Sequence, residues 1–194
     1  RRTAETGRID EGLLDVLDMQ LSVPGDFIHA KRLDLFARYG PIALGIYESI
    51  SGGRESPQLG YSSPLSEKPM IEWLAAGRRE DLAAQRTRQG IHRDDIEIGL
   101  DEAPFRQTAS QGQRKSMLFS LKLAEFGMLE DSKGSPPVLL LDDVFEKLDG
   151  ERMGNLLYRV CRENRGQVFL TDTHADRMSA ILAENGVSFQ SVEL

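Results

Sequence analysis

Val138-Leu139-Leu140-Leu141-Asp142-Asp143, followed by Val144-Phe145-Glu146-Lys147-Leu148-Asp149, is the stretch whose reading decides the fold. Four aliphatic residues without alternation, opened by Pro136-Pro137 and closed by two carboxylates, predict a strand buried on both faces of a parallel sheet. The carboxylates then fall at its carboxyl end, the edge along which open α/β sheets take ligands. An Asp there can hold a magnesium ion while its neighbour handles a water. An Asp that ends a buried strand also serves simply as a helix cap, so the stretch alone supports both readings.

On the C-terminal side, Asp149 is placed to cap a helix whose apolar face is Met153, Leu156, Leu157, Val160 and Cys161. Val168-Phe169-Leu170-Thr171 predicts a second buried strand. Met178, Ile181 and Leu182 predict another helix, and residues 187–192, after Gly186, an edge strand. From residue 136 onward the order is β-α-β-α-β, the signature of a parallel sheet.

On the N-terminal side, Ser110-Gln111-Gly112-Gln113 opens a helix carrying Met117, Leu121, Ala124 and Met128 on one face, with Ser110 in the N-cap slot. Ile96-Glu97-Ile98-Gly99-Leu100 alternates with period two and predicts a hairpin that turns at residues 101–104 toward Phe105-Arg106-Gln107. Residues 72–86 predict a helix. Its Arg78 and Arg79, with Arg86 and Arg88 near its end, suit either phosphates or a solvated face balanced by Glu80 and Asp81. Residues 51–69 are loop-rich, with Leu59-Gly60-Tyr61 as a short strand. Leu13, Leu14, Leu17 and Leu21 predict a first helix ended by Pro24-Gly25, and a second run to Ile50 is expected to kink or divide at Gly40-Pro41. Ser51-Gly52-Gly53 is a helix end and not a phosphate loop, because no Gly-Lys-Ser/Thr follows.

The 194 residues, 40% hydrophobic and 28% charged with net charge -7, are enough for a sizeable core and exclude a global basic field for nucleic acid. Any DNA contact is then local. The single cysteine, Cys161, excludes an internal disulfide and fits a reducing cytoplasm; on its apolar helical face it reads as a core residue. No apolar run reaches membrane-spanning length. The sequence opens on Arg1-Arg2 without an initiating Met, as a piece of a longer protein would.

Four features occur in order: Ser110-Gln111-Gly112-Gln113 at a helix start, Asp142-Asp143 at a strand end, Leu148-Asp149 before a helix, and His174 after the next strand. This order resembles the signature, Walker B, D-loop and switch-histidine positions of the C-terminal half of an ABC-type ATPase head. A helix N-terminus offers unpaired N–H groups and partial positive charge to a phosphate, and Ser110 can cap its helix at the same time. Asp142 would carry magnesium through water. Asp143 stands where many ABC ATPases place a Glu as base. Asp149 caps its helix and can cross a dimer interface, and His174 either senses a γ-phosphate or sits in a polar loop with no special role.

Within that class, His92-Arg93-Asp94-Asp95, Ala109-Ser110-Gln111-Gly112-Gln113-Arg114, Lys122-Leu123-Ala124-Glu125 and Leu140-Leu141-Asp142-Asp143-Val144 with Leu148-Asp149 resemble the RecF family over nearly the whole chain. Ile91 and Glu146-Lys147 depart from its usual pattern. The resemblance implies residues 1–135 as a helical and β signature lobe and 136–194 as the Walker B portion of the ATPase lobe. It implies ATP and Mg2+ as cofactors, an ATP-dependent homodimer at gapped DNA or single-strand/double-strand junctions, RecO and RecR as partners in loading RecA, and a cytoplasmic location. Asp143 and His174 would be catalytic and Ser110 to Gln113 would act on nucleotide held by the other subunit. No Gly-x-x-x-x-Gly-Lys-Ser/Thr occurs, so this chain alone is expected not to hydrolyse ATP. The competing readings are another ABC head, from a structural-maintenance or transporter ATPase, and a non-enzymatic binding module. His92 and Arg93 read either as DNA or interface contacts or as part of an internal hydrogen-bond network.

Overall fold

The computed structural model describes residues 10–142, 144, 146–163, 166–172 and 175–192. The elements run α1 (Glu11–Ser51), β1 (Gln58–Ser62), α2 (Met70–Ala84), β2 (Asp95–Leu100), β3 (Ala103–Pro104), α3 (Phe105–Thr108), α4 (Gln111–Lys133), β4 (Leu139–Leu141), α5 (Gly150–Tyr158), β5 (Val168–Leu170) and α6 (Ala175–Glu184). Contacts divide the chain into two compact units, Arg1–Arg38 with Gly60–Glu97, and Tyr39–Leu59 with Ile98–Leu194.

Helix α1 corrects the expectation of two helices. It passes through both Pro24 and Pro41 without ending. Each proline forfeits one helical hydrogen bond and crowds the preceding turn, a cost of about 3 kcal/mol, and tertiary contacts override it. In the first unit, Asp26 Oδ1 accepts the Met70 N–H at 2.9 Å and so caps α2, whose own N-cap, Pro69, has no side-chain cap bond. Met70 lies on bare backbone at Gly25, where a Cβ would come within 2.1 Å of its sulfur. Arg78 bridges Asp15 and Asp18 at 2.6 Å each. Past Pro41, α1 buries Ala43, Ile46, Tyr47 and Ile50 in the second unit.

In the polar turn of the first unit, Asp94 belongs to an internal network. Asp94 accepts from Arg32 and from the Tyr61 hydroxyl at 2.6 Å each, and Arg32 also donates to the Ile91 carbonyl. Arg88 pairs with Glu80, and its N–H donates to Asp81. Arg78 and Arg88 are thus engaged by carboxylates of the first unit.

In the second unit the main core joins Ala43, Ile46 and Ile50 of α1 to Phe119, Leu123 and Ala124 of α4, Leu139 and Leu141 of β4, and Met153, Leu156 and Leu157 of α5. A hairpin forms, but inside the expected turn, with Gly99 opposite Pro104 and Leu100 opposite Ala103, and Phe105–Thr108, expected to carry the chain on from the turn, is the short helix α3; β1, β2 and β3 make one sheet in that order. β4 and β5 pair in parallel, Leu139 opposite Val168 and Leu141 opposite Leu170, with α5 between them in sequence.

Two expectations for this sheet are corrected. β4 is buried on one face only: Leu139 and Leu141 point into the core, while Leu140 is 71% exposed and its partner Phe169 55%. The run of leucines signals burial without saying which face is covered. Residues 187–192 form no strand; Phe189 and Val192 are exposed, so no half-buried face fixes a register there. Cys161 lies half-buried in the π-helical turn Arg159–Glu163, where burial pushes its thiol pKa up. Among the described residues no helix is long and apolar enough to cross a membrane.

Candidate functional site

The expected site residues that are described all lie in the second unit. Ser110 takes extended backbone at the N-cap of α4, its hydroxyl accepts the Gln113 N–H at 3.2 Å, and Gln113 Oε1 accepts the Ser110 N–H at 2.7 Å. This reciprocal box serves two of the N–H groups at the helix start, while those of Gln111 and Gly112 fall outside it. Gly112 is needed for close approach: a Cβ there would stand 3.1 Å from the Lys147 carbonyl oxygen, in the connection between β4 and α5.

Asp142 is exposed immediately beyond β4, and its Oδ1 accepts from the Thr171 hydroxyl, immediately beyond β5. The parallel register brings this about, since Thr171 N–H donates to the Leu141 carbonyl at 3.0 Å. Asp149 caps α5, accepting the Arg152 N–H at 2.8 Å. That backbone bond is the main reason its carboxyl stays below the usual range, helped by the charges of Arg54 and Arg152 against a smaller opposing effect of burial. Asp143 and His174 lie outside the described residues.

Two residues that the sequence reading passed over tie these pieces together. Glu55, in the loop after α1, uses Oε1 to accept from Gln113 Nε2 at 3.2 Å and from Arg152. Arg152 is 4% exposed; it also donates to Ser116 Oγ of α4 at 3.1 Å and pairs with Asp149 Oδ2 at 3.3 Å. Desolvation would lower the Arg152 pKa, but hydrogen bonds to Tyr47 and Glu55 outweigh it and leave it raised. The Tyr47 hydroxyl donates to Glu55 Oε2 at 3.1 Å, and burial, with Glu55 beside it, pushes that phenol up to about 12. Arg54 approaches Asp149 at 3.6 Å and Glu151 at 3.3 Å. The signature-like turn and the D-loop-like turn are thus joined by a continuous chain of polar contacts.

Beside Gly112, an open groove of about 470 Å³ is lined by Gln111, Arg114, Lys115, Leu118, Glu146 and Lys147. Three of those six side chains are cationic, which suits an anion near the start of α4. At Asp142 the donors are a carboxylate and a neighbouring hydroxyl, hard oxygens of the kind magnesium takes. Among the described residues no three His, Cys, Asp or Glu side chains gather to hold a metal. A magnesium ion that brings phosphate and water oxygens of its own is compatible with this donor set.

No family model matches the chain. It is similar to the DNA replication and repair protein RecF of Flavobacterium johnsoniae, 37% identical over 185 residues, which is 95% of this chain and 52% of that protein. The corresponding protein of Parabacteroides distasonis is 38% identical over 174 residues, 90% of this chain and 48% of that protein. The chain spans about half the length of the curated relatives it matches. Among solved structures it shares the fold of the recombination mediator protein RecF-ATPrS in the RecFOR pathway, with a TM-score of 0.73 and 27% identity over 90% of this chain and 48% of that one. RecF-ATP of the same pathway gives 0.71 and 27%, over 87% and 47%.

Proposed function

Since this chain belongs to the RecF family along the stretch it spans, we propose that it is the signature-bearing and Walker B part of an ATP-dependent DNA-binding protein of recombinational repair and replication. On this reading residues 1–135 are the signature lobe and 136–194 the Walker B portion of an ABC-type head. The protein works in the cytoplasm as an ATP-dependent homodimer at gapped DNA, with RecO and RecR, to support RecA loading. The observation that carries it is the joining of the α4 start to the Asp149 turn through Gln113, Glu55 and Arg152, in a chain whose relatives include RecF solved with ATP.

Each residue then has a definable task. Asp142, with Thr171 fixing its carboxylate, would hold the magnesium, which when bound offsets the charge of the phosphates. The capped start of α4 presents the N–H groups of Gln111 and Gly112 and a partial positive charge of about half a unit to phosphate oxygens held by the other subunit. Asp143 would orient the attacking water and His174 would meet the γ-phosphate. Asp149, locked by its cap bond and by Arg152, would contribute to the subunit interface.

The test uses the full-length protein. Ser110→Arg should abolish ATP-dependent dimerisation, and Asp142→Asn should abolish turnover. Normal dimerisation and turnover in both variants would sink the assignment.

A further inference from the structure

We propose that Glu55 and Arg152 are positioning residues that lock the signature turn and the Asp149 turn into one block, so that a ligand engaging either fixes the other; this rests on the functional reading above. Glu55 Oε1 is the shared point, accepting from Gln113 at 3.2 Å and from Arg152. Arg152 spends its guanidinium on three elements at once: Glu55 in the loop after α1, Ser116 Oγ on α4 at 3.1 Å, and Asp149 Oδ2 at 3.3 Å. Ser116 is fully buried and Arg152 nearly so. The planar, five-donor fork holds its partners at fixed angles, which a lysine ammonium on a flexible stem does not do. Tyr47 fixes the remaining Glu55 oxygen at 3.1 Å, so the carboxylate cannot swing to follow one partner and release the other. The close approach of Gly112 to the Lys147 carbonyl joins the same two turns a second time, through backbone.

A purely structural ion pair would change stability and leave Gln113 and Asp149 acting independently. Positioning makes them interdependent, and a double-mutant cycle separates the two cases. In the full-length protein, ATP-dependent dimerisation with magnesium is measured for Gln113→Ala, Asp149→Asn and the pair, first with Arg152 present and then with Arg152→Met. With Arg152 present, the combined loss should fall short of the product of the single losses by about threefold or more. With Arg152→Met the losses should multiply. If Arg152→Met does not fold, Arg152→Lys serves in its place, keeping the charge and lacking the fork, and the same multiplication is expected. Independent losses with Arg152 present, or undiminished coupling without it, overturn the proposal. Ser110→Arg, run beside them, keeps the two readings apart. If it dimerises normally the site assignment is wrong, and if it fails while Gln113 and Asp149 act independently, only the positioning role falls.

Discussion

Gly112 lies so close to Lys147 that a Cβ on the glycine would stand 3.1 Å from the lysine's carbonyl oxygen. Lys147 itself has a φ of 69°, in the left-handed region that costs a residue with a Cβ about 1–2 kcal/mol. The start of α4 and the connection after β4 are therefore seated on each other backbone to backbone. Gly112→Ala should change global stability by less than about 1 kcal/mol, because better helix propensity opposes the crowding. Gly112→Val should cost about 1–3 kcal/mol and speed amide exchange at residues 146–149. Urea melts and hydrogen exchange check both.

Removing one partner of the Glu55–Arg152 pair leaves the other charge buried. Arg152→Ala should destabilise the protein by about 3–5 kcal/mol, whereas Lys122→Ala, at an exposed pair 2.9 Å from Glu125, should cost less than about 0.5 kcal/mol. Chemical denaturation of the two variants gives the comparison. Equal losses would mean that Arg152 is as solvated as Lys122.

The Ser110 and Gln113 box is a local contribution separable from any ligand. Ser110→Ala should lower stability by about 1 kcal/mol, and Ser110→Asn, which keeps a capping oxygen, by much less. Thermal melts without nucleotide measure it.

Asp94 supplies the acid dependence of the first unit. Burial alone would raise its pKa, but hydrogen bonds from Ser63, Tyr61 and Arg32, with the charge of Arg32, outweigh it and hold the carboxyl below its usual value. A carboxylate depressed by folding stabilises above its unfolded pKa of about 3.9, and that contribution is lost as pH falls through the folded value. Asp94→Asn should therefore be less stable than the parent by about 1–3 kcal/mol at neutral pH, with the gap closing below about pH 4. Melts across pH 3–7 read it, and a gap that does not close would reject the role of the charge.

The local signals in the sequence proved sound where the physics is local. Ser110 and Asp149 cap the helices their types and positions implied. The parallel β4–β5 pair likewise followed from period and order, whereas the hairpin closed two residues early and its onward stretch became α3. What escaped depends on distant partners. Pro24 and Pro41 read as breaks because propensity counts the lost hydrogen bonds and not the grip of Asp26, Arg78 or Tyr47 on the helix. Glu55 sat in a loop with no motif, 58 positions from Gln113 and 97 from Arg152. Arg152 carried the one available signal, three residues past Asp149 on the same helix. Leu140 reads like its neighbours in sequence, and only the register with Phe169 marks it as part of a bare face.

The central claim is that the Ser110 turn of one subunit acts on nucleotide held beside Asp142 of another, and mixing two inactive full-length variants tests it most directly. In a dimer of Ser110→Arg with Asp142→Asn, one site carries both lesions and the other carries neither. ATP turnover of an equal mixture should rise above the mean of the two variants alone, toward a ceiling of about a quarter of the parent rate, which is one intact site in half of the dimers under random assortment; the dimerisation defect of Ser110→Arg keeps it below that ceiling. A mixture no more active than the mean of the two variants alone would contradict the account.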